Sequence, residues 1–390
     1  MKHDNTVIIK HYELLVECCR LIPDLVKIRT LSEAIHDWDS IIDSAYMHGV
    51  LPLVHKSLRS INTISESVKT ELKNINFSIS RRNMLMSAEL IKIIELFNAN
   101  SIRSIAIKGP VLSQIIHNDI TQRQFTDLDI LVDESQIYEA VKLLVDIGYE
   151  PEYSIEYLKN KTLLKVGKDF PVTNTANDVL IEFHWRLFLD RYIKKSNIDL
   201  FSEKNYHCVI NNVSIETLEL NAQLLYLLLH GSKHYWERLE WIVDIDRLVR
   251  LYADQIDWKQ LITMAQEMEI EFMMYLGLAV SSELLATPLG TIILEGILSD
   301  QHVQKAKEAI IFQINNDTIK NEHSGLISFE QLNKIFLLKD SSRGWLRQYI
   351  LGLFQIKELD VYMLNLPNYL APLYYCVRLY RLFKQNVLHR

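Results

Sequence analysis

The spacing of apolar residues divides the chain into three regions. From residue 1 to about 98, apolar side chains recur every three or four positions, as Leu14 and Cys18 do, which is the period of an amphipathic helix. Helical spacing returns beyond residue 196 and continues to the last residues. We therefore predict an N-terminal helical region at 1–98, an α/β core at 99–195 and a C-terminal helical domain at 196–390.

The middle region carries strand patterns. An apolar run that ends at Ile107 precedes the turn Lys108-Gly109-Pro110, after which helical spacing resumes. The segment Asp127–Val132 predicts a buried strand, and a helix follows from Ser135, its predicted N-cap, to Gly148. These signals predict a strand, a turn, a helix, a second strand and a second helix.

Two further apolar segments, at 163–172 and 179–183, flank a polar stretch at 173–178 and predict a β-hairpin. Together with the preceding strands, the hairpin gives a small mixed sheet between two helical regions. The predicted fold class is therefore α+β.

The C-terminal half contains the most apolar segments. Phe272–Leu289 includes polar residues and Pro288, so we predict a core helix that ends near that proline. Residues 369–383 alternate aromatic, aliphatic and arginine side chains, which favours a buried amphipathic helix over one that lies on a membrane surface. Because no apolar run reaches about 18 residues, we predict no transmembrane segment.

Composition narrows the class of protein. With 48% apolar and 23% charged residues among 390, the chain has the composition of a globular protein, which excludes disorder and fibrous folds. The net charge of −7 gives no strong nucleic-acid signal, since nucleic acids are bound mainly through basic surfaces. The four cysteines fall in no metal-binding spacing, and the N-terminus lacks the apolar core of a signal peptide, so we predict reduced thiols and a cytoplasmic protein.

The strand Asp127–Val132 carries the first candidate chemistry. Because side chains alternate along a strand, Asp127 and Asp129 share one face, about 7 Å apart. Two carboxylates so placed repel each other unless a cation or solvent lies between them, and Mg²⁺ prefers such oxygen ligands. The alternative is a solvent-facing strand with two incidental acids.

A second strand carries Glu182 and His184 on one face. If it neighbours the first strand, Glu182 adds a third carboxylate, and three acids are able to hold two metal ions for phosphoryl or nucleotidyl transfer. His184 then has three candidate roles: a general base, a substrate contact or an orienting group. The alternative is a structural histidine that is hydrogen-bonded to a neighbouring carbonyl.

A third feature suits an anion. At the turn before a helix, Gly109 lets the backbone approach a ligand closely, the helix offers free N–H groups, and Lys108 adds a positive charge. Arg123, in the polar loop before Asp127, is a further phosphate candidate. Its alternative is a solvated surface arginine.

The order of these motifs resembles a known family. The turn Ile107-Lys108-Gly109, then Arg123, the strand Asp127–Val132 and the segment Glu182-Phe183-His184-Trp185 are similar to the motifs of the DNA polymerase beta-like nucleotidyltransferase superfamily. Within that superfamily, the chain resembles in particular a poorly characterised bacterial group of nucleotidyltransferase family proteins. It implies that Asp127, Asp129 and Glu182 bind metal and that the C-terminal helices help to form the nucleotide or acceptor cleft.

The resemblance extends into the helical domain, where His230, Lys233, His234 and Asp244 are similar to a second signature of the family. His230 and His234 are four residues apart and therefore share a helix face with Lys233 beside them. We predict a basic cluster that faces the acidic site and contacts phosphate, with Asp244 as a partner of that cluster or of arginines on its own helix. The alternative is a helix surface with no role.

The predicted function is a Mg²⁺-dependent nucleotidyltransferase, with Mn²⁺ as an alternative ion, that transfers an NMP group from an NTP to the hydroxyl or phosphate of a small molecule, peptide or protein. Two other hypotheses remain. One is a transferase that uses another phosphorylated donor, such as a nucleotide sugar, in peptide or polysaccharide tailoring. The other is a non-catalytic nucleotide- or partner-binding module, which is favoured by Lys108-Gly109-Pro110 where established superfamily members usually have Gly-Gly or Gly-Ser.

Overall fold

The computed structural model describes residues 5–188, 202, 204–315 and 355–387. Its helices are α1 Asn5–Cys19, α2 Leu25–Glu33, α3 Trp38–Met47, α4 Leu51–Leu58, α5 Glu66–Ala99, α6 Gly109–His117, α7 Ile137–Asp146, α8 Lys161–Val166, α9 Leu220–Lys233, α10 Leu239–Tyr252, α11 Trp258–Glu267, α12 Glu271–Leu285, α13 Thr291–Ser299, α14 Gln301–Asn315, α15 Glu358–Met363 and α16 Tyr374–Val387. Its strands are β1 Ser104–Ala106, β2 Asp127–Val132, β3 Glu150–Pro151, β4 Asp169–Asn174, β5 Val179–His184, β6 Tyr206–Ile210 and β7 Val213–Thr217. Short 3₁₀ helices cover Ile155–Lys159 and Asn368–Leu373.

Helices form the N-terminal region, as its apolar spacing predicts. The longest helix among the described residues, α5, spans 34 residues and follows its N-cap, Ser65, whose hydroxyl accepts a hydrogen bond from the backbone N–H of Val68. One face of its C-terminal half is buried and packs against the sheet, which places this helix next to the predicted α/β core.

A mixed five-stranded sheet forms the centre of the molecule, in the order β1-β2-β5-β4-β3. Strands β2 and β5 run parallel, and the other neighbours are antiparallel. The α+β prediction is therefore confirmed. The register places Asp129 beside Glu182 on β5, and Asp169 of β4 opposite His184 of β5.

The predicted hairpin is correct in its pairing but wrong in its first boundary. Residues Lys161–Val166 form helix α8, since the side chain of Asn160 caps the N–H groups of Thr162 and Leu163. Strand β4 then begins at Asp169. The N-terminal cap satisfies backbone donors locally, so the apolar run 163–166 folds as a helical turn.

The prediction that the chain is helical throughout beyond residue 196 is wrong, because β6 and β7 form a second hairpin. Asn211 and Asn212 both have positive φ angles, 49° and 64°, as the tight turn of a two-residue hairpin requires. The hairpin packs on β1 and α6. The Asn-Asn pair between two runs of alternating apolar residues is the sequence signal that would have indicated this hairpin.

Ser135 is not the N-cap of α7. The cap position is Gln136, which makes no side-chain cap bond, while the hydroxyl of Ser135 donates to the carboxylate of Asp133. The hydroxyl of Ser135 is hydrogen-bonded to Asp133 and therefore does not cap the N–H groups of the helix.

The C-terminal helices agree in part with their predictions. Helix α12 ends before Ala286, which has a φ of 57°, two residues before Pro288. In α16, Tyr374 is fully buried, but Tyr380 and Phe383 are 56% and 65% exposed, so the prediction of a buried helix holds only for one side of it. Within the described residues, no helix is both long enough and apolar enough to cross a membrane.

The hydrophobic core crosses the regional boundaries drawn from the sequence. One cluster joins buried residues of α1–α4 with those of α9–α14, and a second joins α5, the sheet, α7 and α8. The polar face of β2 and β5 meets α9 near the border of the two clusters, where Tyr226 and His230 face the sheet's carboxylates across a cavity.

Candidate active site

Parallel pairing of β2 with β5 brings the predicted acidic residues to one cavity. Asp129 and Glu182 are direct neighbours in the register, and Asp127 lies two residues before Asp129 on the same strand face. All three line one cavity of about 340 Å³. The alternation that predicted a shared face thus also places the two strands' carboxylates together.

Asp129, Glu182 and His184 form a close group of possible metal ligands among the residues that the structure describes. His184 Nε2 lies 2.9 Å from Asp129 Oδ1 and 3.6 Å from Glu182 Oε2. One ligand atom from each of the three residues lies within 4.8 Å of the others. Asp127 lines the same cavity but does not belong to this group.

Lys108 forms an ion pair with the acidic group. Its Nζ is 3.2 Å from Asp129 Oδ2 and 5.7 Å from the centre of the Tyr226 ring. Gly109, the first residue of α6, has a φ of 56°, which glycine adopts more easily than other residues. This turn directs Lys108 toward Asp129, whereas Gly109 itself is buried and does not line the cavity.

The charges in this group shift the pKa values in opposite directions. Burial alone would raise the pKa of Asp129, but the Lys108 ammonium and the bond from His184 hold that pKa well below its usual range. Burial, together with the negative charge of Asp129, raises the pKa of Asp127. A bound cation would reduce the electrostatic repulsion between these two carboxylates.

Helix α9 and its C-cap residue, His234, supply another wall of the cavity. Tyr226, His230, Lys233 and His234 line it, and the rings of His230 and His234 lie 4.9 Å apart. Burial lowers the pKa of His230 well below its usual value, and burial together with Lys233 lowers the pKa of His234 to about 4. Both imidazoles are therefore neutral at pH 7 and supply hydrogen bonds rather than charge.

Arg123 and Asp244 lie outside the residues that line the cavity and bind each other. The guanidinium donates two hydrogen bonds of 2.9 Å, from Nε and Nη2, to the two oxygens of Asp244, and both side chains are buried. This pair joins the loop before β2 to helix α10. The remaining predicted site residues, apart from Gly109, line the cavity together.

Three polar residues at the site were not predicted. Lys168 lines the cavity and forms an ion pair with Asp169, and Asp169 Oδ2 lies 3.9 Å from His184 Nδ1. Tyr226 stands four residues before His230, so helical spacing alone would have placed it on the same face. Lys168 and Asp169 had no comparable signal, because their position depends on the register of β4 against β5.

A family model described as an uncharacterised nucleotidyltransferase matches residues 35–286, more than half of the chain. The chain belongs to this family. The matched range runs from the N-terminal helices through the sheet to the end of α12, so it contains every residue of the site named above. No curated protein matches the chain.

Membership of this nucleotidyltransferase family supports transfer chemistry with a nucleotide donor. The donor set also fits a divalent cation, because two carboxylates and one imidazole converge within 4.8 Å and a third carboxylate lines the same cavity. The buried Nδ1 of His184 has no hydrogen-bond partner among the described residues. That nitrogen faces away from Asp129 and Glu182, on the side where a metal-bound histidine usually donates a hydrogen bond.

Proposed function

We propose that this protein is a Mg²⁺-dependent nucleotidyltransferase, with Mn²⁺ as an alternative ion, that transfers an NMP group from an NTP to an acceptor hydroxyl or phosphate. The convergence of Asp129, Glu182 and His184 in a cavity that also contains lysine side chains carries the proposal. Carboxylates alone would repel a triphosphate, and lysines alone would not hold a cation. The cavity presents both.

In the proposed reaction, an acceptor oxygen forms a bond to the α-phosphorus of the NTP, and the bond from that phosphorus to the β-phosphate oxygen breaks to release pyrophosphate. A divalent cation would neutralise charge on the phosphates and polarise the reacting phosphoryl group. Asp127, Asp129 and Glu182 would hold it, and Lys108 and Lys233 would contact phosphate oxygens.

The acceptor proton needs a base within the cavity. Burial lowers the pKa of His184, and Asp129 only partly offsets that effect, so its imidazole is neutral at pH 7. Asp127 is the second candidate base, since its pKa is raised toward the range in which a carboxylate accepts protons. Because Asp127 is also a proposed cation ligand, the pH dependence of turnover in His184→Gln, which keeps all three carboxylates, tests whether His184 is the base.

One observation favours a second candidate, a nucleotide-binding module that does not catalyse transfer. The ammonium of Lys108 lies 3.2 Å from Asp129 Oδ2 and thus occupies one oxygen that a cation would use. If Lys108 substitutes for the cation permanently, the site would bind a nucleotide without metal-dependent chemistry.

The four free cysteines agree with the further proposal of a reducing, cytoplasmic setting.

The first experiment measures thermal stabilisation of the purified protein by each NTP and by nucleotide sugars, with and without Mg²⁺ or Mn²⁺. A ligand at about 100 times its Kd adds roughly 2.7 kcal/mol to the free energy of unfolding. The test variant is Asp127→Asn/Asp129→Asn. The matched control is Asp133→Asn, because Asp133 directly follows the same strand and is exposed.

A shift that requires both the cation and the two aspartates supports the enzyme, and pyrophosphate release then identifies the donor. A shift only with nucleotide sugars supports the alternative donor. A shift that is independent of the cation and is lost in Lys108→Met supports the binding module. The absence of any shift with every donor and ion contradicts the proposed nucleotide site.

A further inference from the structure

His184 has two ring nitrogens in different surroundings. Nε2 faces Asp129 and Glu182, at 2.9 and 3.6 Å. Nδ1 is buried, has no hydrogen-bond partner among the described residues, and faces Asp169 Oδ2 at 3.9 Å. The imidazole therefore lies between two groups of carboxylates, with Asp129 and Glu182 at Nε2 and Asp169 at Nδ1.

The backbone enforces this arrangement. Asp169 and His184 are direct partners in the antiparallel pairing of β4 with β5, and such pairs place their Cβ atoms about 5 Å apart. Asp169 also forms an ion pair with Lys168, the residue before it. A shift of about 1 Å would bring the Asp169 carboxylate into hydrogen-bond range of Nδ1.

The position of the ring proton decides whether this contact is favourable. Nε2 lies at hydrogen-bond distance from the carboxylate of Asp129. Because an ionised carboxylate has no proton to donate, the proton of the neutral ring lies on Nε2. Nδ1 then presents a lone pair toward another carboxylate. That pairing of two acceptors is unfavourable, and the observed separation of 3.9 Å is longer than a hydrogen bond of about 2.9 Å.

We propose that His184 is a cation ligand through Nε2 and that Asp169 is the positioning residue that holds it there by accepting a hydrogen bond from Nδ1–H. If Nε2 held a cation, the ring's single proton would move through solvent to Nδ1, with no proton gained or lost. Nδ1–H would then donate a charge-assisted hydrogen bond to Asp169, and both nitrogens of the buried ring would have partners.

The inference depends on the proposed function only for the presence of a cation, and it assigns His184 to the ligand set rather than to proton transfer. A nitrogen ligand beside two carboxylates favours Mn²⁺ over Mg²⁺, because imidazole binds transition ions more strongly than it binds Mg²⁺. Mn²⁺ alone, without nucleotide, is therefore the probe.

The test measures the Mn²⁺ dissociation constant by calorimetry and the hyperfine coupling between bound Mn²⁺ and ¹⁵N-labelled histidine by pulsed electron paramagnetic resonance. The full chain is used in the wild-type form and as Asp169→Asn, Asp169→Glu and His184→Gln. Asp133→Asn is the control for an acidic residue outside the cavity. Lys168→Met removes the ion-pair partner of Asp169 but keeps the carboxylate.

We expect histidine coupling in the wild type and its loss in His184→Gln. Asp169→Asn should weaken Mn²⁺ binding about 10- to 100-fold, the usual effect of removing such an outer partner, and should reduce the coupling. Asp169→Glu should restore part of the affinity, and Lys168→Met should keep the coupling. A merely structural role for Asp169 would not change the nitrogen coupling of bound ion.

Two results overturn the inference. Wild-type Mn²⁺ binding without histidine coupling removes His184 from the ligand set, and equal affinity and coupling in Asp169→Asn and the wild type removes the role of Asp169. Neither result contradicts nucleotidyl transfer. Conversely, coupling that depends on Asp169 in a protein that binds no nucleotide contradicts the proposed function and leaves this inference standing.

Discussion

The Arg123–Asp244 pair makes a quantitative prediction about stability. The two residues are 121 positions apart and share two hydrogen bonds of 2.9 Å, with side-chain exposures of 7% and 2%. Burial alone would lower the pKa of Arg123, but Asp244 and Glu240 hold it above its usual value. The guanidinium is thus charged and depends on these carboxylates for compensation.

The magnitude follows from the geometry. Charge centres about 4 Å apart interact by about 4 kcal/mol at an effective dielectric constant near 20, and loss of one partner from a buried pair typically costs about 3–5 kcal/mol. We expect Arg123→Met to lower the free energy of unfolding by about that amount. Asp244→Leu should cost less, because the charge of Glu240 still stabilises the guanidinium.

The double variant Arg123→Met/Asp244→Leu removes both charges and leaves apolar side chains of similar size. Its stability should therefore lie close to the wild type, as replacement of buried ion pairs by apolar residues often shows. The coupling energy of the cycle would then be about 3 kcal/mol or more.

The assay is urea unfolding, followed by circular dichroism and tryptophan fluorescence, with coincident transitions as the condition for a two-state free energy. A coupling energy below about 1 kcal/mol, the range of exposed pairs, would refute the reasoning. Loss of NTP binding in a stably folded double variant would instead support the phosphate role that the sequence suggested for Arg123.

Three further changes test other parts of the structure. Burial, and next the charge of Arg247, lower the pKa of His117 to about 3, so below about pH 6.5 this histidine binds a proton in the unfolded chain but not in the folded one. Because the side chain is partly exposed, we expect the free energy of unfolding to fall by about 1 kcal/mol from pH 7 to pH 5. His117→Gln should remove that part of the pH dependence in a series of urea unfolding curves, and an unchanged pH dependence would contradict the prediction. Glu89 accepts hydrogen bonds from Asn174 and Asn177 at 2.9 and 2.8 Å, so Glu89→Gln should cost about 1–3 kcal/mol in urea unfolding, and a loss below a few tenths would show that these bonds contribute little. A Cβ on Gly231 would lie 2.2 Å from the buried ring of Trp236, so Gly231→Ala should lower the melting temperature and change tryptophan fluorescence; retention of both would show that the ring has room to move.

Local sequence patterns predicted most of the elements around the site. Strand β2 has the bounds that its apolar run predicted, and the alternation along β5 placed Glu182 and His184 on the cavity side. The pattern failed at 161–166 and at β6–β7. In the first case a side-chain cap selected a helix, and in the second a two-residue turn selected a hairpin.

The predicted site residues divide according to the range of the interactions that place them. His230, Lys233 and His234 line the cavity because helical spacing fixes their common face. Arg123 shows the opposite case, since its partner lies in a helix more than a hundred residues away. No pattern near residue 123 distinguishes a phosphate ligand from an arginine that binds a buried aspartate.

By itself, the sequence determined the helical periodicity, the two strands that carry carboxylates, the lysine-glycine turn and the order of motifs that indicates a nucleotidyltransferase. These features depend on side chains within a few residues of each other, whose faces are set by the period of a helix or a strand. The tertiary structure decided that Lys108 contacts Asp129, that Asp169 lies near Nδ1 of His184, and that Arg123 binds Asp244 outside the cavity lining. Those contacts depend on strand register and helix packing between distant segments, which the burial of the whole core selects.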